Sequence, residues 1–341
     1  MRAEISSNTG LLALVALLLW ATSALGDDGL QPTDPCVGAA ISVGFRIVKV
    51  PHGPTMALWY PSVEGEHPYD YSSLLAGSVA FEGARARCRR VPLVVFSHGM
   101  GGCGTQSVFF TEALARAGYV VAAPDHGDHT CSVQREALTT AVVQSVEEFF
   151  EPQTWTDAIH RTRAADVASV IDWLIASADY GMLIDSAAIG VVGHSMGGYA
   201  ALASIGAWKS DRDPRIKAAL LFSPLALPFL YSGARDRVQV PVMYQSGDWD
   251  WDVTSLTRGR WGVVKIGNMP KYYLELVHAT HFEWTNLACI GESRLSDCVR
   301  RRDNVRLILT YGIAFFDRYL KGDSAALDQL EGDGLSIYQR P

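Results

Sequence analysis

The chain has 341 residues, 48% of them hydrophobic, and a net charge of −7 with no basic run. This length and apolar content can fill one large core, and the acidic balance excludes nucleic acid as a natural partner. After the N-terminal segment, no stretch is long and apolar enough to cross a bilayer.

Residues 1–26 read as a signal peptide, which makes the expected product secreted or periplasmic. Arg2 is the segment's only positive charge, residues 11–20 are apolar, and Ala24-Leu25-Gly26 offers small side chains at the cleavage positions. A membrane anchor is the competing reading, but the apolar run is too short to span comfortably. The segment has no cysteine to carry a lipid, so no stable membrane anchor is expected. Residues 27–341 are expected to form one domain, with 27–35 a loose polar lead-in.

Residues 41–50 and 56–60 have strand character and are separated by the turn signal Pro51-His52-Gly53-Pro54. Residues 64–90 are polar and read as irregular. Pro92-Leu93-Val94-Val95-Phe96 is a continuous apolar run, as in a strand buried on both faces. Helical spacing over 107–117 ends at Gly118, and 119–123 is another buried strand. Residues 130–154 fit no strand or helix of the series and are a candidate cap insertion. A long amphipathic helix is expected over 155–178, with Ala165, Val167, Val170, Ile171 and Leu174 on one side. Strands follow at 188–192, 218–222, 240–244 and 272–277, with helices at 198–203 and 305–320. Strands alternating with helices, with buried runs dominant, predict an α/β fold with a mostly parallel central sheet and helices on both faces.

One motif stands out against this framework. Gly193-His194-Ser195-Met196-Gly197 follows the apolar strand 188–192 and precedes the helical run 198–203. Strand, tight turn and helix place a serine hydroxyl on a sharp bend at the carboxyl edge of a sheet, at a helix N-terminus. A serine hydroxyl is a weak nucleophile and needs a base. Two histidines lie past the last strand, in His278-Ala279-Thr280-His281-Phe282, and His281, further from the strand end, is the favoured base. The base needs an acid to hold its tautomer. Strand 240–244 runs into Gly247-Asp248-Trp249-Asp250-Trp251-Asp252, and Asp250, three residues past the glycine, is favoured over Asp248 and Asp252. An oxyanion also needs N–H donors. Met196 supplies one directly after the serine, and Met100, in Ser97-His98-Gly99-Met100-Gly101-Gly102 after the strand at 92–96, is expected to supply the other.

Weaker features surround this set. Asp125-His126-Gly127-Asp128-His129 has metal-ligand residue types, but a strand-end loop beside the site is favoured, and neither metal nor cofactor is assigned. Arg163 and Asp166, three apart on a helix, read as an ion pair. Trp249, Trp251 and Trp284 flank the acid and base and are candidate walls of an apolar pocket. The six cysteines of an exported chain favour disulfides over free thiols. Proximity favours Cys289 with Cys298, Cys103 with Cys131 and Cys36 with Cys88, out of fifteen possible pairings.

The run from Val43-Gly44-Phe45-Arg46 through Leu58-Trp59-Tyr60-Pro61 to the strand and Ser97-His98-Gly99 resembles secreted α/β-hydrolases. These are the relatives of platelet-activating-factor acetylhydrolase and the dienelactone-hydrolase-like serine esterases. The segment from Ala113 through Pro124-Asp125-His126, and Gly193-His194-Ser195-Met196-Gly197-Gly198, continue the likeness, which covers about residues 40–320. It implies an α/β-hydrolase fold, Ser195 as nucleophile, Asp250 and His281 as acid and base, and oxyanion N–H groups at Met100 and Met196. Dienelactone hydrolases themselves carry a cysteine nucleophile where this chain has Ser195. The family is also similar to secreted cutinase-like polyester hydrolases. The expected function is a serine carboxylic-ester hydrolase acting on a small-molecule or lipid-like ester. The alternatives are an acetylhydrolase-like phospholipase and a lipase or cutinase-type polyester hydrolase.

Overall fold

The computed structural model describes residues 42–72, 75–86, 90–128, 157–229, 234–258, 266–267, 270–328 and 330–341. The expected signal peptide (1–26), the candidate cap insertion (130–154), Cys36, Cys88, Cys131 and His129 lie outside them.

Eleven strands form one sheet in the order β11-β10-β9-β8-β7-β5-β6-β2-β1-β4-β3. They are β1 (Ser42–Lys49), β2 (Thr55–Ser62), β3 (His67–Ser72), β4 (Leu75–Phe81), β5 (Val91–Ser97) and β6 (Val120–Pro124), followed by β7 (Ile184–His194), β8 (Ile216–Phe222), β9 (Val242–Gly247), β10 (Lys271–Leu276) and β11 (Leu335–Gln339). The helices are α1 (Val108–Arg116), α2 (Asp157–Ala176), α3 (Met196–Leu202), α4 (Trp251–Arg258), α5 (Leu295–Arg301) and α6 (Asp303–Leu320). From β6 to β10 all neighbours run parallel, while β2 and β11 flank that block antiparallel.

The continuous apolar runs have a direct cause. Val94 and Phe96 face one core layer with Phe110, Phe222, Phe315 and Phe316. Leu93 and Val95 face the other, with Val167, Val170, Ile171 and Leu174 of α2. Both faces of β5 are therefore buried, and no polar alternation remains in its sequence.

Strand order reverses around β5, which has β6 on one side and β7 on the other. Open α/β sheets carry their ligand crevice at such a switch point, beyond the carboxyl ends of the strands. Here Ser97, the last residue of β5, is in register with Gly193 of β7. The loop after β5 and the serine turn after β7 consequently leave the sheet side by side.

Two expectations are corrected. Residues 64–90 contain the β3–β4 hairpin, which extends the sheet through pairing of β4 with β1. Tyr69 and Tyr71 alternate with polar residues and lie 5.0 and 5.1 Å from the Phe45 ring, so a period-two aromatic signal was hidden in a polar segment. At the opposite edge, β11 pairs with β10 beyond the last expected helix.

Cys289 and Cys298 are disulfide-bonded, with Cα atoms 5.2 Å apart. Cys103 is also disulfide-bonded. The Cys289–Cys298 bridge spans a separation of 9 residues, so its loop-entropy contribution is about 2–3 kcal/mol. Replacing both cysteines by serine should lower the unfolding free energy by roughly that amount in urea titration. An unchanged midpoint would show that the bridge adds nothing to stability.

Candidate active site

Ser195 stands between β7 and α3 with φ 54° and ψ −115°. A side chain in this region carries strain of about 1–3 kcal/mol, which the surroundings must hold. The Ser195 N–H donates to Phe222 O at 3.0 Å, and Ser195 O accepts from Leu225 N at 2.9 Å and Tyr199 N at 3.2 Å. The turn tolerates no side chain at its flanks. A Cβ on Gly193 would lie 2.0 Å from Gly197 O, and one on Gly197 would lie 1.9 Å from Ser97 O.

The loops after β9 and β10 are joined by backbone bonds. Asp248 N–H donates to Leu276 O and Trp249 N–H to Ala279 O, each at 3.1 Å. Asp250, 5% exposed, thereby reaches His281, with Oδ2 3.0 Å from Nδ1. Ser223, a buried residue that sequence reading missed, donates its hydroxyl to the same Asp250 oxygen and lies 3.1 Å from His281 Nδ1. Asp248 is half-buried without touching the ring, and the Asp252 side chain lies outside the described set. His278 is exposed against Trp249, with ring centroids 4.6 Å apart.

Ser195 and His281 line one cleft of about 470 Å³, together with Gly99, Met100 and His194. No direct hydrogen bond joins Ser195 Oγ to the His281 ring among the described residues, and such contacts tighten when substrate binds. A larger cavity of about 640 Å³ runs along Arg161, Asp213 and Arg215 and contains none of these side chains. The family profile described as "Alpha/beta hydrolase family" matches residues 94–320. The chain belongs to the α/β hydrolase family. No curated protein matches it.

In this α/β hydrolase, the loop carrying Met100 is held by an ion pair between buried Arg163 and half-buried Asp128. Arg163 Nη1 donates to His98 O at 2.6 Å, and Nη2 binds both carboxylate oxygens of Asp128 at 2.6 and 2.8 Å. Asp128 Oδ2 in turn accepts Gly101 N–H at 3.2 Å. Arg163 and Asp166 therefore do not pair with each other as their helical spacing implied. Asp166 instead bonds His126 Nδ1 at 2.8 Å, and His126 Nε2 meets Ser97 Oγ at 2.7 Å. The described residues thus hold a second Ser–His–Asp set, hydrogen-bonded throughout, beside the one in which Ser195 and His281 share a cleft without a direct bond. Burial separates them, because Ser97 and His126 are fully enclosed, whereas Ser195 and His281 open on the cleft. The second set buries His126 just past the end of β6, while His129 lies outside the described residues. Among the described residues no cluster of three or more His, Cys, Asp and Glu side chains could hold a metal.

The three tryptophans are placed differently from expectation. Trp284 is wholly buried, donates to Gln245 Oε1 at 3.1 Å and stacks on Phe222. Trp249 and Trp251 are 54% and 73% exposed, and none of the three lines the cleft. Its apolar wall is supplied by Phe282 and Leu287. Sequence proximity to Asp250 and His281 was a poor guide here, because the side chains leave the loops in different directions.

His194, the residue before the serine, is buried and donates from Nε2 to His281 O at 2.8 Å. Burial, and then the neighbouring His281, push its pKa down to about 3. Between about pH 6.5 and 3 the unfolded chain binds a proton that folded His194 refuses, so its contribution is lost as pH falls through that window. Asp166, pushed up to about 6 by burial, acts in the opposite sense between about pH 6 and 4. The expected signature is therefore a difference. Urea stability should fall more steeply from pH 6.5 to 5 in the wild type than in His194→Gln. Equal slopes would show that His194 titrates normally.

Proposed function

We propose that this hydrolase is a serine carboxylic-ester hydrolase working through an acyl-enzyme. The observation that carries the reading is the buried Asp250 bonded at 3.0 Å to His281, whose ring shares a cleft with the strained Ser195. Asp250 accepts Nδ1–H, which leaves His281 Nε2 as the basic nitrogen. Ser195 Oγ attacks the ester carbonyl while His281 takes its proton. The developing oxyanion is received by the Met196 and Met100 N–H groups, and the positive end of α3 adds to the same field. Collapse breaks the bond to the alkoxy oxygen, which leaves as the alcohol with the proton from His281. Water, deprotonated by the same ring, then releases the acid and regenerates Ser195. No step calls for a cofactor.

Phe282 and Leu287 on the cleft wall suit an apolar acyl group, so a small or lipid-like ester is the substrate class. The Cys289–Cys298 bond supports the oxidising compartment that the leader implies.

Ser195→Ala should lower kcat by about 10⁶, and a fluorophosphonate should label the wild type alone. Label retained in the variant would move the nucleophile elsewhere. Asp250→Asn should lower kcat by about 10⁴ through a wrongly held tautomer, and Asp248→Asn should cost far less. Rates on p-nitrophenyl esters from acetate to palmitate measure both losses and the acyl preference. Equal losses at the two aspartates would displace Asp250 as the acid.

A further inference from the structure

We propose that Gln106 is a positioning residue that ties the base loop to the oxyanion loop through His194. This rests on the reading of Ser195 and His281 as nucleophile and base. Gln106 precedes α1, and both ends of its carboxamide are committed. Oε1 accepts Gly99 N–H at 2.9 Å, and Nε2 donates to His194 Nδ1 at 3.1 Å. His194 Nε2 continues to the carbonyl of His281 at 2.8 Å. The direction of every bond is determined. The His281 carbonyl can only accept, so His194 carries its proton on Nε2 and its bare Nδ1 must receive one. Gly99 N–H can only donate, so the amide oxygen faces it. A protonated His194 would set Nδ1–H against the Gln106 amide hydrogens, and its low pKa agrees with the neutral form.

The glycines of the oxyanion loop make sense around this one side chain. A Cβ on Gly102 would lie 2.2 Å from Gln106 Oε1, and one on Gly99 would lie 2.9 Å from His194 Nδ1. Gly102 N–H closes the turn onto Gly99 O at 3.1 Å. Met100, whose N–H is assigned to the oxyanion, sits inside that turn, folded about the carboxamide. On its other side, the Gln106 backbone is fastened to the base loop. Gln106 O accepts Asn286 N–H at 2.8 Å, Thr105 O accepts Asn286 Nδ2 at 2.8 Å, and Ser107 Oγ donates to Trp284 O at 2.6 Å. The base and the oxyanion donor come from loops far apart in sequence, and the Gln106 amide and His194 imidazole form the side-chain link between them beside these backbone-anchored bonds. Gln106 takes no part in bond making; it holds the two groups that do.

The test uses the full chain. Gln106→Met keeps length and volume but removes both bonds. Gln106→Glu keeps the acceptor for Gly99 N–H but replaces the donor to His194 Nδ1 with a charged acceptor. A misplacement of about 1 Å can cost a hundredfold in rate. We expect kcat on p-nitrophenyl butyrate to fall by about 10–100-fold in Gln106→Met and by about tenfold in Gln106→Glu, with KM within about threefold. Affinity for an alkyl boronic acid, which forms a tetrahedral adduct on the serine, should fall in parallel with kcat/KM. A purely structural role would lower thermal stability without this split, and a substrate-binding role would raise KM. Either of those results, or unchanged kcat in both variants, overturns the inference. If Gln106→Met does not fold, Gln106→Glu decides by the same measurements. Activity retained in Ser195→Ala would defeat the proposed reaction, whereas an inactive Ser195→Ala beside fully active Gln106 variants would defeat this inference alone.

Discussion

The peptide at Gly197 lies so close to the carbonyl of Ser97 that a single added methyl carbon would sit 1.9 Å from that oxygen. This contact joins the first turn of α3 to the end of β5, and most of the site follows from it. It requires glycine at 197, it forces the sharp turn that strains Ser195, and it brings the Met196 N–H beside the loop that carries Met100. Parallel pairing of β5 with β7, with Ser97 opposite Gly193, makes the approach possible. The strain is held from below by the bond from Ser195 N–H to Phe222 O, at the end of the next parallel strand.

Around this turn the site is held mainly by buried, neutral or internally paired polar groups. Arg163 and Asp128 form an ion pair whose remaining hydrogen bonds go to the backbone of the loop after β5. Such a pair adds little net stability relative to apolar packing, and its value is in fixing geometry. Burial, with Arg163 and His126 beside it, holds His98 well below the ordinary histidine value. His98 can therefore accept His126 N–H at 3.0 Å and donate to Gly99 O at 2.6 Å, the pattern of a neutral ring. His194 shows the same logic. Two neutral histidines thus brace the loops, while His281, at the cleft, remains open to solvent and substrate.

The Ser97–His126–Asp166 string is an instructive contrast. Both of its links are made, at 2.7 and 2.8 Å, whereas at His281 only the link to Asp250, at 3.0 Å, is. What the string lacks is access, because Ser97 and His126 are both fully buried. Residue types at hydrogen-bonding distance therefore define a candidate only together with exposure, a strained presentation and nearby oxyanion donors.

Local pattern in the chain determined the parallel α/β sheet, the strand–turn–helix around Ser195 and the placing of Asp250 and His281 on the loops after β9 and β10. Each is written in short-range features: apolar runs on doubly buried strands, and glycines where backbones touch. The short separation of Cys289 and Cys298 also made their pairing legible. Tertiary structure alone decided which carboxylate reaches the His281 ring, why Trp284 is core while Phe282 lines the cleft, and that Arg163 reaches Asp128 instead of Asp166. It also supplied Ser223, 27 residues from Asp250, and Gln106, 88 residues from His194. Periodicity reports whether a side chain is buried, because burial is a property of one element and its faces. Which groups meet across loops depends on strand order and register, and these arise only when the whole sheet assembles.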